Sequence, residues 1–107
     1  MDIMTTYGYP LLDNAIGTVF NQDADIITGA DTIEGMVDCF IANAYQPHVK
    51  NNMLALLLDE LNEFENNYSQ NLDAAYQHRY PSELHFACVK AFFDIFREHI
   101  QKTLKRS

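Results

Sequence analysis

The stretch from His48 to Asn66 is the strongest constraint on what this chain can fold into. Wound at 100° per residue, Met53, Leu54, Leu57, Leu58, Leu61 and Phe64 fall within one arc of about 140°. Asp59, Glu60 and Glu63 fall on the opposite arc, joined by Asn52, Asn66 and Asn67. A helix with so wide an apolar face gains its stability by packing that face on other elements. The remaining sequence must therefore supply matching apolar faces.

It does so at helical spacing. Tyr9-Pro10 precedes Leu11, Leu12, Ala15, Ile16, Val19 and Phe20, and Pro10 suits the first position of a helix. Asn21-Gln22-Asp23-Ala24-Asp25 ends that helix, and Gly29 marks a loop. Asp31-Thr32-Ile33-Glu34 reads as a capping box, with Asp31 accepting from freed backbone N–H groups and Glu34 reaching back. Ile33, Met36, Val37, Phe40, Ile41 and Ala44 then make a second stripe, which Pro47 stops. Residues 67–77 read as a loop with a short helix near Leu72 to Tyr76. Ser82 and Glu83 start a last helix running to about Lys105, with Val89, Phe92, Phe93, Phe96, Ile100 and Leu104 on its stripe. The one β-branched run, Ile26-Ile27-Thr28, is too short to argue for a sheet. The expected fold is all-α, a single-domain bundle of four to five helices over residues 1–107.

Length and charge limit the function. A chain of 107 residues fits one domain. Fifteen acids against seven Lys and Arg leave a formal charge of −8, which disfavours direct binding to nucleic acid or to an anionic membrane. The charge is uneven. Residues 1–78 hold twelve acids and one base, Lys50, for −11; residues 79–107 hold three acids and six bases, for +3. A basic partner would meet the first part. Bases in the final turn (Lys102, Lys105, Arg106) also complement a helix dipole.

Residues 1–6 carry no basic segment followed by an apolar run, and the densest apolar stretch, 53–58, falls far short of a membrane span. The expected location is the cytoplasm. Cys39 and Cys88 sit among apolar residues and read as buried, reduced thiols.

Catalytic chemistry is poorly provided for. His85 and Cys88 are three residues apart with His78 upstream, yet there is no Cys-x-x-Cys or His-Glu-x-x-His, so no metal is expected. Ser69, Ser82 and Ser107 occupy loops or the terminus, without a nucleophile elbow. No glycine-rich phosphate loop is present, and no cofactor or enzymatic activity is expected. Binding remains. The acidic arc Asp59, Glu60 and Glu63, followed by Glu65, Tyr68, Asp73 and Tyr76, offers charge to steer a basic partner and aromatic anchors to hold it. The same charges also suit a merely solvated helix face.

The order of these pieces resembles a known family. Tyr9-Pro10-Leu11-Leu12 opens a helix that ends in Phe20-Asn21-Gln22-Asp23. A helix with Ile33, Val37 and Phe40 follows, then one ending Leu57-Leu58-Asp59-Glu60-Leu61-Asn62-Glu63-Phe64. This is similar to the small CdiI-type immunity proteins of bacterial contact-dependent growth inhibition systems, over Tyr7 to Phe64. The resemblance implies a cytosolic helical protein that binds the C-terminal toxin domain of a CdiA effector. It further implies that the partner is a basic nuclease, a ribonuclease foremost, held in a 1:1 complex with its active site blocked by the acidic surface. Gln22-Asp23 and Glu60-Leu61 are the family-like positions and are expected to hold the fold. Residues outside the motif, Glu63, Glu65, Tyr68, Asp73 and Tyr76, are expected to choose the toxin. The competing reading is a phage-derived or DNA-mimic inhibitor of a nucleic-acid enzyme.

Overall fold

The computed structural model describes residues 9–21, 23–80 and 88–106. Six helices run through them: α1 Pro10–Thr18, α2 Ala24–Thr28, α3 Ile33–Asn43, α4 Pro47–Asn67, α5 Leu72–Arg79 and α6 Val89–Arg106. The all-α expectation holds, with six helices among the described residues instead of four to five. The additional element is α2, in a stretch where the sequence shows only a short β-branched run before Gly29. It forms because Asn21 Oδ1 accepts from the Asp23 N–H at 2.8 Å and the Asp23 carbonyl accepts from Ile26 and Ile27, each at 2.9 Å. This local turn chemistry overrides the β preference of Ile26-Ile27-Thr28. Gly29, at φ +72°, closes the helix in the left-handed region that glycine adopts without cost. Gln22, Ser82, Glu83 and His85 lie outside the described residues, as does the expected start of the last helix.

The expected capping box is corrected. The cap of α3 is Thr32, whose Oγ1 accepts from the Gly35 N–H at 3.1 Å, and Asp31 is exposed one residue before it. The box also needs an acid at the third helical position. Gly35 holds that place, where a Cβ would come within 2.8 Å of the Ala30 Cβ. Glu34, one position earlier, remains a favourable charge in the first turn. Pro10 is at the first position of α1 as expected.

The core is one cluster with α6 at its centre. α6 packs on α3, α4 and α5; α1 lies on α4, and α2 on α3. Phe92, Phe93, Phe96 and Ile100 of α6 are fully buried. Phe20, just after α1, meets Phe92 at 5.1 Å, Phe96 at 5.4 Å and Phe40 of α3 at 5.8 Å between ring centroids. Phe64 of α4 meets Phe93 at 5.7 Å, and Tyr76 of α5 meets Phe92 at 6.3 Å. These tilted and edge-on pairs add to plain burial. The predicted stripe of α4 is correct, with Leu54, Leu57, Leu61 and Phe64 buried. Ala44 was expected on the α3 stripe and is exposed, because α3 ends at Asn43. Both cysteines are free thiols; Cys39 is half-buried, but Cys88 is exposed, against the expectation of burial.

Phe92 contacts the rings of Phe20 and Tyr76 as well as Phe93 and Phe96 of its own helix, so its loss leaves a cavity that no single neighbour can fill. Phe92→Ala is expected to cost about 3–5 kcal/mol, measured by urea unfolding, and to leave the chain close to unfolded.

Candidate partner-binding face

The seven residues expected to meet a partner divide into three groups. Tyr76 is 1% exposed, with its ring 4.9 Å from Tyr80 and 6.4 Å from Phe93. It belongs to the core because α5 turns its short apolar face inward against α6, a packing that its polar neighbours concealed.

Glu60, Glu65 and Asp73 are committed to internal contacts. Glu60 Oε1 accepts from the Leu12 N–H at 2.8 Å, so a carboxylate on α4 caps the start of α1. Tyr9, at the cap position itself, makes no side-chain bond there. The amide donors and positive dipole end of α1 find their acceptor across the bundle instead. Burial pushes the Glu60 carboxyl up, and nearby Asp13 and Glu63 add to that; the backbone bonds from Leu12 and Leu11 oppose it without cancelling it. Glu60 therefore does not belong with the freely exposed acids. Asp73 does the same work for α6, accepting from the Val89 N–H at 2.8 Å. Glu65 takes a hydrogen bond from Arg97 and another from Lys90 at 3.1 Å, which ties α4 to α6. Burial raises its carboxyl, but those two cations outweigh burial and leave it below the usual range.

Asp59, Glu63 and Tyr68 remain at the surface. Asp59 and Glu63 are exposed and make no ion pair among the described residues. Leu56, 53% exposed, precedes Asp59 by three residues and Glu63 by seven, which puts all three on one side of α4. Asn52 and Asn66 extend the stripe, and both are exposed. Tyr68 ends it, 37% exposed and leaning on Phe64 at 4.9 Å. The last turn of α4 contains no base of its own. Leu56 was not singled out from the sequence, although it falls outside the apolar arc of its own helix. A leucine on the polar side was the available signal.

A polar knot borders this face. The Arg79 guanidinium reaches Asp13 twice, Nε to Oδ1 at 2.8 Å and Nη2 to Oδ2 at 2.7 Å. The Tyr80 hydroxyl donates to the same carboxylate at 2.6 Å. Arg79 also lies over the Tyr9 ring at 5.0 Å, and the Tyr9 hydroxyl accepts from Asn67 at 2.8 Å. The paired, planar fit is one that arginine makes and lysine does not. Burial pushes the Asp13 carboxyl up, but the bonds from Arg79 and Tyr80 and the charge of Arg79 leave it lowered on balance. Burial, then Asp13, pushes the Tyr80 hydroxyl far up, so it remains a donor.

Of the positions expected to hold the fold, Phe20 and Leu61 are fully buried, Asp23 starts α2 through its carbonyl, and Gln22 is outside the described residues. No helix among the described residues is long and apolar enough to cross a membrane. Comparison with known proteins returns no matching family model, no matching curated protein and no matching solved structure.

Two outcomes follow from this sorting. Glu60→Ala removes the cap of α1 and is expected to cost about 1 kcal/mol in urea unfolding, while Glu60→Gln, which keeps an acceptor oxygen, retains most of it. Asp13 and Glu65 have carboxyls lowered in the folded state, so the stability they contribute is complete above the ordinary carboxylate range. It is lost as pH falls below about 4. The gap in urea midpoint between the wild type and Asp13→Asn is therefore expected to be full at pH 6 and to shrink below about pH 4.

Proposed function

We propose that this protein is an immunity-type inhibitor, resembling the CdiI group, that holds a basic toxin nuclease domain in a 1:1 complex in the cytoplasm. The observation that carries the reading is the α4 surface: Asp59 and Glu63 have no ion pair among the described residues and stand around exposed Leu56, with Tyr68 at the end. Structural acids here have partners. Asp13, Glu65 and Asp94 pair with arginine or lysine, and Glu60 and Asp73 cap helices. Carboxylates left without an internal partner, beside an apolar anchor, form the arrangement that steers and seats a cationic protein surface. A nuclease presents such a surface because its substrate is a polyanion.

The binding set that this reading uses is smaller than the one drawn from the sequence. Leu56 joins Asp59, Glu63 and Tyr68, while Glu60, Glu65, Asp73 and Tyr76 are taken up by contacts inside the bundle. The DNA-mimic alternative needs unpaired acids spread at phosphate-like intervals over a broad surface. The internal pairing of Asp13, Glu65 and Asp94 leaves fewer acids for that.

The reading expects a toxin gene beside this one, and the test is rescue of cells expressing that gene's C-terminal domain, with binding measured in parallel. The wild type is expected to rescue growth. The double reversal Asp59→Lys/Glu63→Lys is expected to keep its urea midpoint, lose rescue and associate about tenfold or more slowly at low salt, with the difference shrinking as salt rises. A reversal variant that still rescues and binds at the same rate contradicts the proposal.

A further inference from the structure

Away from the α4 face, the structure carries a feature at odds with the chain's acidity. A hollow of about 560 Å³ is lined by Asp38, Ile41 and Ala42 of α3, Lys50 of α4, and His99, Lys102 and Thr103 of α6. Lys50 is the one base among the first 78 residues, yet it shares this hollow with Lys102 from the far end of the chain. The other bases with close carboxylates are neutralised: Arg79 by Asp13 at 2.7 Å, Lys90 by Glu65 and Asp94 at 3.1 Å, and Arg97 by Glu65 and Asp94. Lys50 has instead a backbone carbonyl, Ala42 O, at 3.2 Å. Lys102 approaches Glu98 at 3.7 Å, with both ends exposed, a contact of little strength in water.

The histidine is oriented. His99 Nδ1 lies 2.6 Å from Asp38 Oδ1, which calls for the proton on Nδ1 and leaves Nε2 as the ring's open position. Asp38 is the one carboxylate lining the hollow, and this contact engages it. α4 starts nearby without a side-chain cap and without an acid in its first turn, so its positive dipole end adds to the charge of Lys50. Ile41 and Ala42 provide an apolar wall.

We infer that this hollow is an anion site for a small phosphate monoester, gripped by Lys50 and Lys102, oriented by His99, with its organic part against Ile41 and Ala42. Two lysines from opposite ends of the chain, neither held tightly by a carboxylate, supply point charges for phosphate oxygens. With Nδ1 protonated, the open Nε2 is an acceptor, and it takes a hydrogen bond from the P–OH of a monoprotonated phosphate, a donor that a halide does not have. The volume exceeds that of a bare phosphate, which leaves room for the organic group. This site is independent of the toxin-binding reading and stands or falls alone.

The experiment is a titration of the intact protein followed by NMR amide shifts. The probes are inorganic phosphate and adenosine monophosphate, with adenosine and with sodium chloride at matched ionic strength as controls. Phosphate and adenosine monophosphate are expected to give saturable shifts at Ala42, Lys50, His99 and Thr103, with the monoester tighter. Lys50→Met and Lys102→Met, each checked for an unchanged urea midpoint, are expected to weaken binding about tenfold. Lys102 is exposed, so its variant keeps the test open even if Lys50→Met disturbs the fold. Shifts reproduced by chloride, equal binding of adenosine, or unaltered affinity in Lys102→Met would overturn the inference.

Discussion

The burial of one face of α6 is the constraint on which the rest of the structure depends. Phe92, Phe93, Phe96 and Ile100 are removed from water because α3, α4 and α5 each give that helix a surface. Burying a side chain of this size contributes about 1.5–3 kcal/mol, and four in succession make α6 the hub around which shorter helices can be held. Helices of eight or nine residues, such as α5 and α1, are marginal in isolation. They exist here because Tyr76 and Phe20 are anchored against the α6 rings.

Once the core sets these positions, the charged groups separate by task. The starts of α1 and α5 lack side-chain caps of their own, and acids on other elements serve the starts of two helices in the bundle. Glu60 reaches the start of α1, and Asp73 that of α6. Asp13 joins α1 to α5 through Arg79 and Tyr80, and Glu65 joins α4 to α6 through Arg97 and Lys90. The basic C-terminal part of the chain is thus folded against the acidic part, and three of its bases, Arg79, Lys90 and Arg97, are used inside the molecule. Among the described residues, exposed acids without such a tie remain at Asp31 and Glu34 by the start of α3 and at Asp59 and Glu63 around Leu56 on α4. The proposed binding face is one part of what internal pairing leaves over.

Much of the fold was legible in the sequence, since apolar spacing reports burial directly. The α4 stripe from Leu54 to Phe64 and the α6 phenylalanines are where periodicity places them. Local turn chemistry was harder. Asp31 and Glu34 match a capping pattern, but the steric need for Gly35 beside Ala30 moves the cap to Thr32. α2 depends on an Asn21 side-chain bond that no periodicity encodes. The site was the least legible part, because the roles of its acids are set by partners distant in sequence. Glu60 differs from Glu63 only in having Leu12 above it, 48 residues away. Tyr76 reads as a surface tyrosine among polar neighbours, and only the tertiary packing of α5 on α6 shows it to be core.

The account's central claim is that a basic protein docks on the outward side of α4. The most direct measurement is the NMR footprint of the toxin domain on this chain, read from amide and side-chain resonances at saturation. The account predicts a footprint centred on Leu56, Asp59, Glu63 and Tyr68, with the α2–α3 corner around Ile26 and Ile27 unperturbed. A footprint on that corner, with the α4 resonances unmoved, would contradict it.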